Sequence, residues 1–144
     1  MSSEDNKAIV RRFFEEVLNE KRLDRADELV APDYLDHDAV PGQGPGLEGA
    51  RQQRWARYFA AIPDLHTTID DLVAEGDKVV VRYTGEGTQQ GELLGIPPTG
   101  KRFRFSGICI IRLAEGKIAE NWEQDDLLGL MQQLGVLPAP GSAR

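Results

Sequence analysis

The chain has 144 residues, 40% hydrophobic and 28% charged, with a formal net charge of −7. That length supports one core burying roughly two-thirds of the unfolded surface, and no run approaches the ~18 uninterrupted apolar residues of a membrane span. The negative charge argues against nucleic-acid or anionic-lipid partners, and the acidic, polar start Met1-Ser2-Ser3-Glu4-Asp5 does not read as a secretory signal, so a cytoplasmic protein is expected.

Apolar residues recur at Ile9, Phe13 and Val17, with Val10, Phe14 and Leu18 beside them, so residues 4–18 are predicted to form an amphipathic helix capped by Ser3 or Asp5. Leu23, Ala26, Leu29 and Val30 predict a shorter second helix, stopped by Pro32. Tyr34-Leu35-Asp36-His37-Asp38 is too short and acidic to be assigned as a strand. Pro41-Gly42-Gln43-Gly44-Pro45-Gly46 is a loop, read as a mobile lid or connector, and it lacks the Lys and Ser/Thr of a phosphate-binding loop. Helical spacing returns over residues 47–62 through Trp55, Tyr58 and Phe59, ending at Pro63-Asp64.

The period then changes to that of strands, predicted over residues 66–74, 78–88, 102–113 and 117–126, with Gly76, Gly95, Gly100 and Gly116 between them. Residues 127–134 form a last helical turn or two. Residues 1–137 are expected to be a single domain and 138–144 a flexible tail. Helices first and strands afterwards predict an α+β fold, a cone-shaped curved antiparallel sheet covered by N-terminal helices and enclosing a pocket.

The last hairpin carries the candidate chemistry. A two-residue Glu115-Gly116 loop in an unbroken ladder pairs Ala114 with Lys117, Leu113 with Ile118, Ile111 with Glu120, Cys109 with Trp122, Gly107 with Gln124 and Phe105 with Asp126. One face is then Phe105, Gly107, Cys109, Ile111, Leu113, Ile118 and Trp122, interrupted by Glu120, Gln124 and Asp126, while Asp125 points away. Polar groups on an otherwise apolar face need partners or a cavity, which predicts a pocket. A carboxylate between apolar walls holds its proton more tightly and enters the range of general acid–base catalysis, and Asp126 is the candidate. Asp126 also stands where the last helix needs an N-cap, and the two roles are compatible.

Other candidates are weighed in the same way. Glu120 and Gln124 either line the pocket or sit at a wet sheet edge. Arg82, inside Val79-Val80-Val81-Arg82-Tyr83, is either partner to a buried carboxylate, the reading preferred, or a snorkelling surface residue. Tyr34, Trp55 and Phe59 are candidate cavity walls, although such aromatics also serve as ordinary core. Cys109, the single cysteine, reads as a packing residue, and the spacing of His37 and His66 offers no metal site. His37, flanked by Asp36 and Asp38, is by itself a loop histidine.

The run Glu120-Asn121-Trp122-Glu123-Gln124-Asp125-Asp126-Leu127-Leu128-Gly129-Leu130-Met131-Gln132-Gln133-Leu134-Gly135 resembles the SnoaL-like polyketide and ester cyclase family, within the nuclear transport factor 2-like superfamily. The likeness extends through Tyr34-Leu35-Asp36-His37-Asp38, Gly46-Leu47-Glu48-Gly49, Ile62-Pro63-Asp64-Leu65, Gly87-Thr88-Gln89-Gln90-Gly91-Glu92 and Gly95-Ile96-Pro97-Pro98-Thr99-Gly100-Lys101. The resemblance implies a cone-shaped α+β barrel, a homodimer through the outer sheet face, and closure of a ring in a small hydrophobic carbonyl compound by an intramolecular aldol reaction. That chemistry uses an aspartate and no metal or organic cofactor.

The resemblance places the aspartate four positions after the tryptophan on Asp126 and a histidine on His37, with Asp125 as the alternative to Asp126. Gln89 stands where the family often has histidine. The same fold also serves non-catalytic ligand-binding or dimerisation modules, isomerases and epoxide hydrolases. For a hydrolase, Arg82 between Asp126 and Glu120 is the set that the sequence offers.

Overall fold

The structure, a computed structural model, describes residues 1–138, so the expected tail lies outside the described residues from 139 onward. Helix α1 (Ser3–Arg12) opens on a capping box in which the Ser2 hydroxyl accepts from the Asp5 N–H and the Asp5 carboxylate from the Ser2 N–H. The cap therefore lies one residue before Ser3. The helix continues as a wider π-helical stretch, Phe13–Asn19. The second predicted helix is shorter than expected, a 3₁₀ turn (Leu23–Arg25) and α2 (Ala26–Leu29), because Val30 is already extended at φ −123° and ψ 136°.

Val30 begins β1 (Val30–Asp36), the element that the acidic residues concealed. The predicted third helix is a continuous rod made of α3 (Gly46–Ala50), a π-helical stretch (Arg51–Trp55) and α4 (Ala56–Ala61). Four strands follow near their expected bounds, β2 (His66–Glu75), β3 (Lys78–Thr88), β4 (Arg102–Ala114) and β5 (Lys117–Asp125), and then α5 (Leu127–Gln133). The loop before α3, read as a mobile lid or connector, is tied to its surroundings by Gln43, which bonds Asp36 and the Val40 N–H, and by the Gly44 N–H on Gln53.

The strands form one sheet in the order β1-β5-β4-β3-β2, antiparallel except for the β1–β5 pair. The expected α+β fold with a largely antiparallel sheet under N-terminal helices is what the structure has, and the sheet is mixed and open with β1 and β2 at its edges. A parallel neighbour needs a long crossover, and everything from α3 to β4 provides it.

Alternation along β3 and β4 turns Val79, Val81, Tyr83, Cys109, Ile111 and Leu113 towards Val10, Phe13, Phe14 and Val17 of the first helix. Each fully buried side chain of that size contributes roughly 1.5–3 kcal/mol. A second cluster gathers Ile62, Leu93, Ile96, Phe103, Leu130 and Leu134, and Phe105 packs against both. Gln89 organises the loop between β3 and β4. Fully buried, it donates to the carbonyls of Gly91, Ile96 and Pro97 at 3.0–3.1 Å and accepts from the Thr99 hydroxyl at 2.7 Å.

The β4–β5 ladder is broken where the site depends on it. Ala114 pairs with Lys117 and Leu113 with Ile118 as expected, but the next pair is Arg112 with Glu120, leaving Ala119 as an extra residue on β5. Ile111 then faces Asn121, Ile110 Trp122, Cys109 Glu123, Ile108 Gln124, and Gly107 Asp125. A slip of one residue turns every later side chain to the opposite face. The bulge keeps both Ile118 and Ala119 inside, at 2% and 9% exposure. It turns Trp122 outward, where the His37 ring stacks on it at 4.7 Å.

Candidate active site

A cavity of about 130 Å³ lies between the inner sheet face and the helices. Its apolar walls include Phe13, Trp55, Phe59, Phe105, Cys109 and Leu130. Polar side chains enter from five elements: Tyr34 from β1, Arg54 and Tyr58 from the α3–α4 rod, Thr67 from β2, Tyr83 from β3, and Asn121, Glu123 and Asp125 from β5 beyond the bulge.

Arg54 is the hub. Its guanidinium donates to Asp36 Oδ2 at 2.9 Å, to the Asp38 carbonyl at 2.7 Å and to Glu123 Oε2 at 2.8 Å. Burial works to strip its charge, but the Glu123 and Asp36 carboxylates outweigh that and keep it protonated. The end of β1 and the turn after it serve this hub: the Asp36 carboxylate and the Asp38 carbonyl reach Arg54, while the His37 ring reaches the outer face. Asp38 also accepts from the Glu123 N–H at 2.6 Å and fixes the strand there.

The Glu123 side chain keeps 20% of its surface and lines the cavity. It accepts from Asn121 at 3.3 Å. Burial pushes its carboxyl group up to about 8; Arg54 opposes this, and the hydrogen bond and charge of Asp125 reinforce it. Asp125 in turn accepts from the Tyr83 hydroxyl, whose own proton is held more tightly by burial and by both carboxylates. Burial likewise keeps Cys109 a thiol. The arrangement can take and return a proton near neutral pH beside apolar walls.

Of the residues singled out in the sequence, Tyr34, Trp55, Phe59, Phe105 and Cys109 line this cavity. Asp126 does not. The β4–β5 ladder ends at Asp125, and the Asp126 carboxylate caps α5 by accepting from the Gly129 N–H at 2.9 Å on the exposed side. The inward parity expected for it is corrected, and Asp125 faces in. His37, Glu120, Trp122 and Gln124 lie on the outer face, where His37 Nε2 meets Glu120 at 2.6 Å and Arg112 meets Glu120 at 2.7 Å, holding that carboxyl below its usual range. Arg82 pairs with Asp71 at 2.7 Å on the same outer face, so it partners no buried carboxylate.

The sequence reading missed Arg54, Tyr83, Asn121 and Glu123. Arg54 had a signal, because it stands seven residues after Leu47 on the apolar stripe that includes Trp55 and Tyr58, where a charge has no reason to be unless it is paired inside. Glu123 had none without the bulge. Among the described residues, no group of three or more His, Cys, Asp or Glu side chains is placed to hold a metal ion, and no helix is long and apolar enough to cross a membrane.

Residues 8–134 match the family described as SnoaL-like polyketide cyclase. The chain is 31% identical over 131 residues to the aklanonic acid methyl ester cyclase DnrD of Streptomyces peucetius, covering 88% of each chain. It is 30% identical over 121 residues to the nogalonic acid methyl ester cyclase of Streptomyces nogalater, covering 81% of this chain and 88% of that one. The structure of TsrD from Streptomyces laurentii superposes with a TM-score of 0.87 at 36% identity, over 95% of this chain and 99% of the other.

Proposed function

The chain belongs to the SnoaL-like polyketide cyclase family and is a polyketide cyclase-like enzyme, and on that premise we propose that Glu123 is its acid–base residue in a cofactor-independent intramolecular aldol closure. The observation that carries this reading is one carboxyl group, raised to about 8, facing an otherwise largely apolar cavity between Arg54 and Asp125. Ionised Glu123 takes the proton from the carbon beside a substrate carbonyl. The enolate carbon attacks a second carbonyl carbon, forming the carbon–carbon bond, and the resulting alkoxide takes the proton back from Glu123. No redox partner is needed and the proton count closes. A group that titrates near the working pH suits both halves of that exchange.

The test uses the esters for which the relatives are named, aklanonic and nogalonic acid methyl ester, as probes. Glu123→Gln keeps shape and hydrogen bonding but cannot accept the proton, so turnover falls by at least ~10²-fold. Asp126→Asn retains the rate. Unchanged turnover in E123Q overturns the assignment.

One observation favours a second reading. Arg54 bridges two carboxylates, Asp36 and Glu123, an arrangement in which Glu123 would activate water to open an epoxide. Turnover in ¹⁸O-water separates the two, since epoxide opening places one labelled oxygen in the diol and aldol closure consumes no water.

A further inference from the structure

Tyrosine occurs three times in this chain, and all three side chains line the cavity. Tyr83 is committed, because its hydroxyl donates to Asp125. Tyr34 and Tyr58 are not: among the described residues, neither hydroxyl makes a hydrogen bond to a protein group. Tyr34 is nevertheless only 7% exposed, its ring held against Trp55 at 6.2 Å. The Tyr58 ring lies under the Arg54 guanidinium at 5.8 Å. Both hydroxyls open on the cavity instead of being sealed in the core, and two donors facing a largely apolar space without a protein acceptor suit an oxygen brought by its occupant.

The remaining donors are less suited. The charge of Arg54 is already divided among Asp36, the Asp38 carbonyl and Glu123, and Asn121 donates to Glu123. Thr67 sits on β2, three strands from β5 in the sheet. Both free phenols lie within electrostatic reach of Arg54 and Glu123, and burial keeps each protonated.

We propose that Tyr34 and Tyr58 donate hydrogen bonds to the substrate carbonyl oxygen that becomes the enolate oxygen, making them the oxyanion donors of this cavity. As a statement about mechanism it rests on the acid–base role of Glu123, because the donors stabilise the negative charge that proton removal creates. Both phenols belong to residues whose rings are anchored by packing, so the donors are preorganised before the substrate enters.

The test has two readouts. The first is infrared spectroscopy of 2-acetylnaphthalene ¹³C-labelled at its carbonyl, bound to wild type, Tyr34→Phe, Tyr58→Phe and the double variant. The carbonyl band is expected below its position in a hydrocarbon solvent in wild type and back towards that position in the double variant, with affinity falling about tenfold for each hydroxyl removed. The midpoint of thermal unfolding stays unchanged, since phenylalanine keeps the ring and no protein bond is lost. The second readout is turnover of aklanonic acid methyl ester, expected to fall at least tenfold in Y34F and further in the double variant.

An unshifted band and unchanged affinity in the double variant, or no binding of the ketone to wild type, overturns the proposal. If E123Q loses turnover while Y34F and Y58F keep both band and rate, the acid–base reading stands and the oxygen site falls. If wild type leaves the ester untouched but the band still depends on the two hydroxyls, the oxygen site stands and the aldol reading falls.

Discussion

At the scale of residues, a β-carbon on Gly107 would lie 2.6 Å from the Tyr83 hydroxyl oxygen and would also collide with the Asp125 carboxylate. Glycine at this ladder position is what lets the phenol and the carboxylate meet across β4, since Gly107 pairs with Tyr83 on one side and Asp125 on the other. Gly107→Ala is therefore expected to cost about 1–3 kcal/mol in urea unfolding and to lower turnover, because overpacking drives the two groups apart. A variant with wild-type stability and rate would show that the contact is dispensable. Residue chemistry was partly legible. The aromatic walls were named from their spacing, and Arg54 was visible in principle as a charge on an apolar stripe. The raised carboxyl group was not visible, because it depends on what surrounds Glu123 in space.

At the scale of elements, the bulge at Ala119 and the cap at Asp126 divide the labour of the C-terminal hairpin. Two apolar residues in sequence, Ile118 and Ala119, can be buried together only if the strand takes up an extra residue, and doing so carries Asn121, Glu123 and Asp125 to the cavity side. The periodicity of β3 and β4 is clean, and their bounds were readable for that reason. In β5 an unbroken register counted from the Glu115-Gly116 loop put Trp122 on the wrong face. Stacking with His37 from the end of β1 makes its outward position acceptable, and that partner is 85 residues away in the chain. Asp126→Ala is expected to destabilise the protein by about 0.5–2 kcal/mol, seen as a lower denaturation midpoint, with the turnover of folded enzyme unaltered. A large loss of rate at full folding would restore Asp126 to the chemistry.

For the molecule as a whole, Glu123 links folding to pH. Its carboxyl group sits near 4.5 in an unfolded chain and about 8 in the folded one, so between those values the folded state holds a proton that the unfolded state has released. Stability then falls as pH rises through that window, the reverse of the behaviour of a carboxylate held low by a salt bridge. Urea unfolding of wild type and Glu123→Gln from pH 5 to pH 8 checks this. Relative to the variant, wild type loses stability steadily as pH rises, and a flat difference would mean that Glu123 is an ordinary surface-like acid.

Composition and periodicity by themselves determined the helical first half, four of the strands and the α+β class, because burial along a helix or strand imposes a repeat that the residues must spell out. The ordered motifs carried the family. The tertiary structure alone decided that an acidic segment would be a fifth, parallel strand, that the sheet would stay open, and that Glu123 and Asp125 rather than Asp126 would face the cavity. The reason is physical: one extra residue in a ladder reverses a face without changing composition, and the Glu123 carboxyl group is raised first by burial and then by Asp125, against the pull of Arg54, surroundings that the spacing of β5 alone does not bring together.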